Sequence, residues 1–517
     1  MMSKQSMDSR MEEAKISLDA LVPKNHLVRK IDKSLSFDFI YPIVESTYST
    51  IGRPSVDPVV LVKLVFIQYL FGIRSMRQTI KEVETNLAYR WFLGLSLIDK
   101  VPHFSTFGKN YARRFRETDL FEQIFIVILE QAVDARFIHE EILYMDSTHI
   151  KANANKRIFT REMAHKEAIL YQKQLEEEIN EARIAEGKRP FGSIIRQEVV
   201  ERKISVADPE SGYYVKTERE KQFAYSAHTV CDENGFVLDV MITPGNLHDS
   251  RMLVPQIERV KSRGFSFYGV AADAAYKTPW NTKYLIDQKL RPIFPYTRPK
   301  GNKERFKKKD FDYDSHYNWY LCPNDQTLQF RTTTRDGYKK YVSKSFICET
   351  CPLLKNCTES QKHQKEIHRH IWEDYLDEAE HLRHTAYNRE KYKKRKETIE
   401  RVFADAKEKH GMRYTKYRGL EKNQVHTMLV FAAMNLKKLA TWQWKHMSSY
   451  LLLYKNRQKY QSTLLVKRKL MLLSTVCRKK GILSFCSPIA PMPSCHLYFY
   501  IEKSLFIEVL SQYHSYI

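Results

Sequence analysis

Two aspartates stand where apolar, strand-like runs stop. "ILYMDSTHIKANANK" changes character at Asp146, after Ile142, Leu143, Tyr144 and Met145, and "FSFYGVAAD" ends on Asp273. A carboxylate at the end of a buried strand is costly to desolvate unless a partner offsets it. A third acid is expected from a late helix. In "ETIERVFADAKEKHG" the residues Ile399, Val402, Phe403 and Ala406 form one apolar face, and Glu400 lies beside it. Lys396 precedes Glu400 by four residues and Lys407 follows it by seven, which puts both on its side of a continuous helix. Three converging carboxylates resist ionisation without a cation. Hard oxygen ligands suit Mg²⁺ or Mn²⁺, and such ions promote in-line phosphoryl displacement.

Each acid has a plainer reading. Asp146 could cap a turn through its side chain. Asp249 of "GNLHDS" rivals Asp273, and with Ser250 it reads as a helix N-cap. Glu397 rivals Glu400 from three residues away. His228 and His248 read as structural histidines rather than metal ligands.

The cysteines raise a separate question. "CETCPLLKNC" holds Cys348, Cys351 and Cys357, and with Cys322 they make a four-thiolate set suited to zinc. The alternative is a group of reduced structural thiols. Cys231 and the tail cysteines show no metal spacing.

The chain has 517 residues, with Lys plus Arg 85 against Asp plus Glu 61, a formal charge of +24. That excess favours a polyanionic partner. The N-terminus lacks the apolar stretch of a signal peptide. The most apolar early run, "VVLVKLVFIQYLFG", is about 14 residues and interrupted by Lys63 and Gln68, short of the ~20 a membrane span needs. A buried helix fits it better, so DNA is expected and no membrane.

The elements that must position these residues fall into three regions. Residues 1–135 read as an all-α N-terminal DNA-binding domain. Asp57 caps and Pro58 starts one helix, Gly94 stops another, and Ser105 caps a short basic helix carrying Lys109, Arg113 and Arg114. Residues 136–445 read as α/β. The order is a strand to Asp146, a hairpin around "DENG", a helix through Leu253, Ile257 and Val260, a strand to Asp273, the helix "PWNTKYLIDQK", an edge strand "LRPIFPY", and the Glu400 helix. Insertions interrupt it at about 157–215, expected to be a charged, solvated helical arm, and at 298–385, which contains the cysteines. Residues 446–517 form a tail with no clear period, readable as a read-through or frameshifted end.

This order of acids resembles the ribonuclease-H-like catalytic domain of DDE transposases. The stretches "YMDSTHIKANANK", "GFVLDVMITPGNLHDS", "GVAADAAYKT" and "ETIERVFADAKEKHGMRYTKYRGLEKNQVHTMLVFAAMNLKKLA" are similar to bacterial insertion-sequence transposases of the Tyr-Arg-Glu-Lys branch. "LVPKNHLVRKID" and "RPSVDPVVLVKLVFIQYLFG" resemble their helical N-terminal domain. The likeness covers roughly residues 15–445. It implies a ribonuclease-H-like mixed sheet and a catalytic, metal-holding triad of Asp146, Asp273 and Glu400. It implies cleavage of element ends and strand transfer to target DNA, by a homo-oligomer working in the bacterial cytoplasm on the nucleoid. In the signature, Tyr392, Arg395 and Lys407 are DNA-contacting positions. Lys396 stands where the family commonly has Arg, and Arg395 is one step out of register, so either is a candidate for the phosphate-contacting base. Ala275 stands where the family commonly has Gly. A metal-dependent nuclease without strand transfer, and a DNA-binding protein without catalysis, are the alternatives.

Overall fold

The computed structural model describes residues 15–49, 51–52, 54–165, 172–192, 199–217, 220–297 and 304–447. Residues up to Lys445 form one compact unit. Residues from His446 on count as a second, and the reading of that tail as a frameshifted end lies outside the described residues.

The N-terminal region is all helical, from Leu18–Leu21 to Leu120–Asp134. Local chemistry accounts for its ends. The Asp57 carboxylate accepts the Val59 N–H at 2.7 Å ahead of Pro58–Leu70, as expected. Asn86 caps Leu87–Leu93 and divides the second expected helix in two, and Gly94 stops it at φ 72°. Ser105 is not a cap but the first residue of Ser105–Asn110, because the His103 ring nitrogen takes its hydroxyl. Pro58–Leu70 is buried almost all round, through Leu61, Val62, Leu64, Val65, Phe66 and Ile67. That explains an apolar run broken only by Lys63 and Gln68. Among the described residues no helix is long and apolar enough to cross a membrane.

A mixed α/β region follows. Its strands are β1 (Ile142–Lys151), β2 (Phe159–His165), β3 (Val199–Ser205), β4 (Gly212–Val215), β5 (Lys221–Cys231), β6 (Val237–Pro244), β7 (Gly269–Ala271) and β8 (Arg291–Ile293). The main sheet runs β4-β5-β1-β7-β8, with β6 also on β5. β1, β5 and β6 are antiparallel neighbours, while β7 and β8 add in parallel to the other side of β1. The hairpin turn falls on "DENG", with Gly235 N–H donating to the Asp232 carbonyl at 3.1 Å. "LRPIFPY" supplies β8, an edge strand, as its prolines suggested.

The first insertion departs from the expected helical arm. β2 near its start pairs antiparallel with β3 near its end, and among its described residues only Gln172–Ala185, between them, is helical. Phe159, Arg161 and Met163 alternate with a period of two, which suits a strand. The second insertion builds a separate antiparallel sheet of β9 (Asp312–Asp314), β10 (Trp319–Leu321), β11 (Thr327–Thr333), β12 (Tyr338–Val342) and β13 (Glu366–His370). The two insertions touch, with Arg183 of the first donating to the Thr333 carbonyl of the second at 2.9 Å.

Candidate active site

β1 carries Asp146 opposite Thr229 of β5, past the last residue it shares with β7. On the parallel neighbour, β7 stops at Ala271, and Asp273 follows as the cap of a short turn, accepting the Ala275 N–H at 2.9 Å. β1 does not stop at Asp146 as expected but runs on to Lys151, because β5 pairs with it that far. Asp146 therefore lies mid-strand, just past the last residue paired with β7, close enough to Asp273 to feel its charge. Burial pushes the Asp146 carboxyl up to about 6; Arg395 opposes that rise, and Asp273 and Asp249 add to it.

The third acid arrives by a route that helical spacing did not predict. The helix Ala386–Lys393 gives way to a tight 3₁₀ turn, Lys394–Lys396, before Ile399–Lys409 begins. The chain turns at Thr398, whose backbone leaves the helical region (φ −104°, ψ −97°) while its hydroxyl and its N–H both donate back to the Lys394 carbonyl, at 2.9 and 3.0 Å. Lys396 is exposed and belongs to the turn, so it does not share a helical face with Glu400. Arg395 is the buried one. Its guanidinium donates to Asp146 and reaches Glu400 at 3.9 Å. Glu400 is half exposed, at 49%. Glu397 faces elsewhere, lining a cavity with Arg401, Asp405 and Lys437.

Two further residues join the site that sequence reasoning did not place there. Asp249 is no helix cap: the His248 ring takes that role by accepting the Ser250 N–H at 3.3 Å. The Asp249 carboxyl is raised by burial, drawn back by the Ser147 hydroxyl and raised again by Asp273. It lies 3.6 Å from His228, whose ring burial holds neutral, down at about 3. Tyr276 is fully buried, feels the charges of Asp249, Asp146 and Asp273, and leaves its hydroxyl without a partner. "HDS" offered one signal for Asp249, a carboxylate in the loop that follows a strand, but the same letters spell a cap.

Basic residues surround the acids. Lys407 is half-buried, its ammonium lowered by burial and then by Arg413 and Lys216. Tyr392 packs near Arg395, with burial raising its phenol and Arg395 lowering it. Tyr414 is exposed beside Lys151, whose ammonium lies 5.4 Å from its ring, whereas Tyr417 turns its ring onto His426. In the N-terminal region Lys109 and Arg113 are exposed, while Arg114 lies 4.0 Å from the Tyr48 ring and bonds Asn110.

Among the described residues no group of three or more His, Cys, Asp or Glu already stands in a metal-holding arrangement. At the acids, Arg395 is ion-paired with Asp146. The acids themselves fit a hard divalent ion: they feel one another's charge, two of them (Asp146 and Asp249) are raised by burial, and they offer carboxylate oxygens.

A transposase DDE domain family matches residues 321–440, the stretch that contains Glu400. A transposase domain family (DUF772) matches residues 16–113, the N-terminal helices. No curated protein matches the chain. Two matches at separate places, both to transposase domains, mark the chain as a transposase. Its kind is the insertion-sequence DDE transposase.

Proposed function

We propose that this transposase cuts the ends of its element and joins them to target DNA at a divalent-cation site formed by Asp146, Asp273 and Glu400. The observation that carries the reading is the grouping of Asp146, just past the stretch where β1 pairs with β7, with Asp273, just past the end of β7, and Arg395 linking Asp146 to Glu400. The strand order, antiparallel on one side of β1 and parallel on the other, supports a ribonuclease-H-like catalytic domain over about 136–445 and a helical DNA-binding domain over about 1–135.

Mg²⁺ or Mn²⁺ held by the three carboxylates would lower the pKa of the attacking hydroxyl and stabilise the leaving oxygen. The protein's own residues do the rest. Lys407, Arg413 and Lys216 hold the phosphodiester through its negative oxygens, and Arg395 orients the acids and the scissile phosphate. Water attacks phosphorus, the bond to the 3′ oxygen breaks, and that oxygen leaves as a 3′-hydroxyl. The freed hydroxyl then attacks a target phosphate and displaces another 3′ oxygen. Tyr392, Lys396 and exposed Tyr414 line the DNA path, while Lys109, Arg113 and Arg114 serve the N-terminal reader. Action as a homo-oligomer, in the cytoplasm on the nucleoid, rests on the family resemblance.

The test is incubation of the full chain with labelled element-end DNA, a target plasmid and Mg²⁺. Nicked ends and joined products are expected. Nicking without joining would indicate a nuclease, and neither product would indicate a DNA-binding protein.

A further inference from the structure

The second insertion has its own core, and it is small. Its sheet buries Phe311, Tyr320, Leu328, Tyr341 and Ile367, with Cys322 and Cys357 packed against them. Segments with so few buried side chains commonly need a disulfide or a metal to hold them. Among the described residues the cysteines are all free thiols.

Four of those thiols line one cavity. Cys322 follows β10, Cys348 lies in Ser345–Glu349, Cys351 in the turn after it, and Cys357 ends Leu354–Cys357. All four line one cavity of about 30 Å³, together with apolar residues such as Phe306, Phe311 and Leu328. The lining includes no carboxylate and no imidazole. A cavity of that size admits an ion or a water rather than an organic ligand. A sulfur-only donor set selects zinc over magnesium or calcium.

Two neighbouring features favour thiolates there. The backbone N–H groups of Asn324 and Gln326 both donate to Cys322 Sγ at 3.4 Å, support that suits a charged sulfur. The Lys365 ammonium also lines the cavity, fixed by the carbonyls of Cys357 and Phe306 at 2.9 and 3.0 Å. Burial raises the Cys357 thiol, Lys365 lowers it, and Cys348, Cys322 and Cys351 raise it again, so all four sulfurs are within electrostatic reach.

We propose that Cys322, Cys348, Cys351 and Cys357 bind one structural zinc ion that staples the second insertion. Binding replaces thiol protons with zinc: up to four protons leave, and the resulting negative charge faces Lys365. The thiols line the cavity without yet standing in ligand positions, so binding draws them together and closes it. The proposal is independent of the catalytic reading, because it is read from metal content rather than cleavage.

Full-length protein purified without chelator should contain about one zinc per chain, as a four-thiolate site requires. The Cys348→Ser/Cys351→Ser double variant should lose it, with the insertion becoming open to trypsin, as expected when metal contributes to folding. A Cys477→Ser/Cys486→Ser/Cys495→Ser variant should keep it. Because the double variant could fail to fold, wild-type protein stripped of zinc is also titrated with Co²⁺. The intense sulfur-to-cobalt absorption of a tetrahedral thiolate site should rise to one equivalent and vanish on adding zinc. Zinc below about a tenth of an equivalent with no cobalt–thiolate band would overturn the proposal. So would zinc retained in the double variant.

Discussion

Arg395 donates to the Asp146 carboxylate and holds its other guanidinium nitrogen 3.9 Å from Glu400. Both partners of the closer pair are largely buried, at 9% and 18% exposure. Removing one member of such a pair leaves a buried charge and typically costs about 3–5 kcal/mol. Arg395→Ala should therefore lower the melting temperature by several degrees, and excess Mg²⁺ should restore part of it by neutralising Asp146. Lys396→Ala, on an exposed turn, should stay within about 0.5 kcal/mol of wild type. Equal melting behaviour for the two variants would refute this assignment.

The choice between two glutamates is open to a direct test. Glu400→Gln keeps the side chain's shape and removes the charge available to a cation. It should abolish Mg²⁺-dependent cleavage while leaving DNA binding unchanged or slightly tighter. Glu397→Gln, facing the cavity beside Arg401 and Lys437, should cleave within several-fold of wild type. Cleavage and gel-shift assays on both decide it; an active Glu400→Gln beside an inactive Glu397→Gln would reverse the assignment.

Binding to DNA should depend steeply on salt, given the +24 charge. Each neutralised phosphate releases a counterion with a slope of about −0.9, so 6–10 contacts lose roughly 10³–10⁵ in affinity between 50 and 200 mM salt. Replacing exposed Lys109 and Arg113 together by Ala should shallow the slope by about two if each meets a phosphate. Fluorescence anisotropy across that salt range provides the measurement, and a flat response would rule out phosphate-dominated binding.

His426 makes stability pH-dependent. Burial lowers its imidazole from 6.5 to about 4, with Lys416 adding to the effect, while the Tyr69 hydroxyl bonds its Nδ1 at 2.8 Å. Since the folded value is the lower one, the unfolded chain takes up the proton first. The associated stability is present above about pH 6.5 and is lost as pH falls towards 4. A difference of 2.5 (6.5 − 4) at about 1.36 kcal/mol each gives an upper limit near 3 kcal/mol. His426→Gln should flatten that part of the curve in thermal melts at pH 7 and pH 4.5. An unchanged pH dependence would mean the ring is neutral for no energetic reason.

Local signals were legible where neighbours in sequence do the work. Asp57 with Pro58, Gly94 and the "DENG" turn each stabilise their own element, so the letters suffice. Acids at the ends of apolar runs were legible for the same reason. The β2–β3 pair was not, because its partner strands are separated by a charged helix that dominates the local pattern. Nor was the turn at Lys394–Lys396: charged residues fill 393–397, so no apolar period marks where one helix ends and the next begins. With that break at Thr398, it is Arg395 and not Lys396 that reaches the acids. Asp249 was read as a cap because Asp is a common capping residue, although the true cap, the His248 nitrogen, is its neighbour in sequence.

Gly72, at φ +64°, ends the first long N-terminal helix against the backbone of Lys409, where an added Cβ would sit 2.5 Å from the carbonyl oxygen. Next to it, the His410 ring bonds the Tyr69 carbonyl at 2.7 Å. Lys409 is the last residue of the helix that starts beside Glu400, which lies nine residues or about 14 Å up the same axis. Mechanically this is a fulcrum at the foot of a stiff rod. A load applied to the N-terminal helices would pass through the joint as torque and emerge as tilt at the rod's upper end. Even a single methyl group at position 72 would act as a wedge under that lever, shifting Glu400 from a distance without touching it.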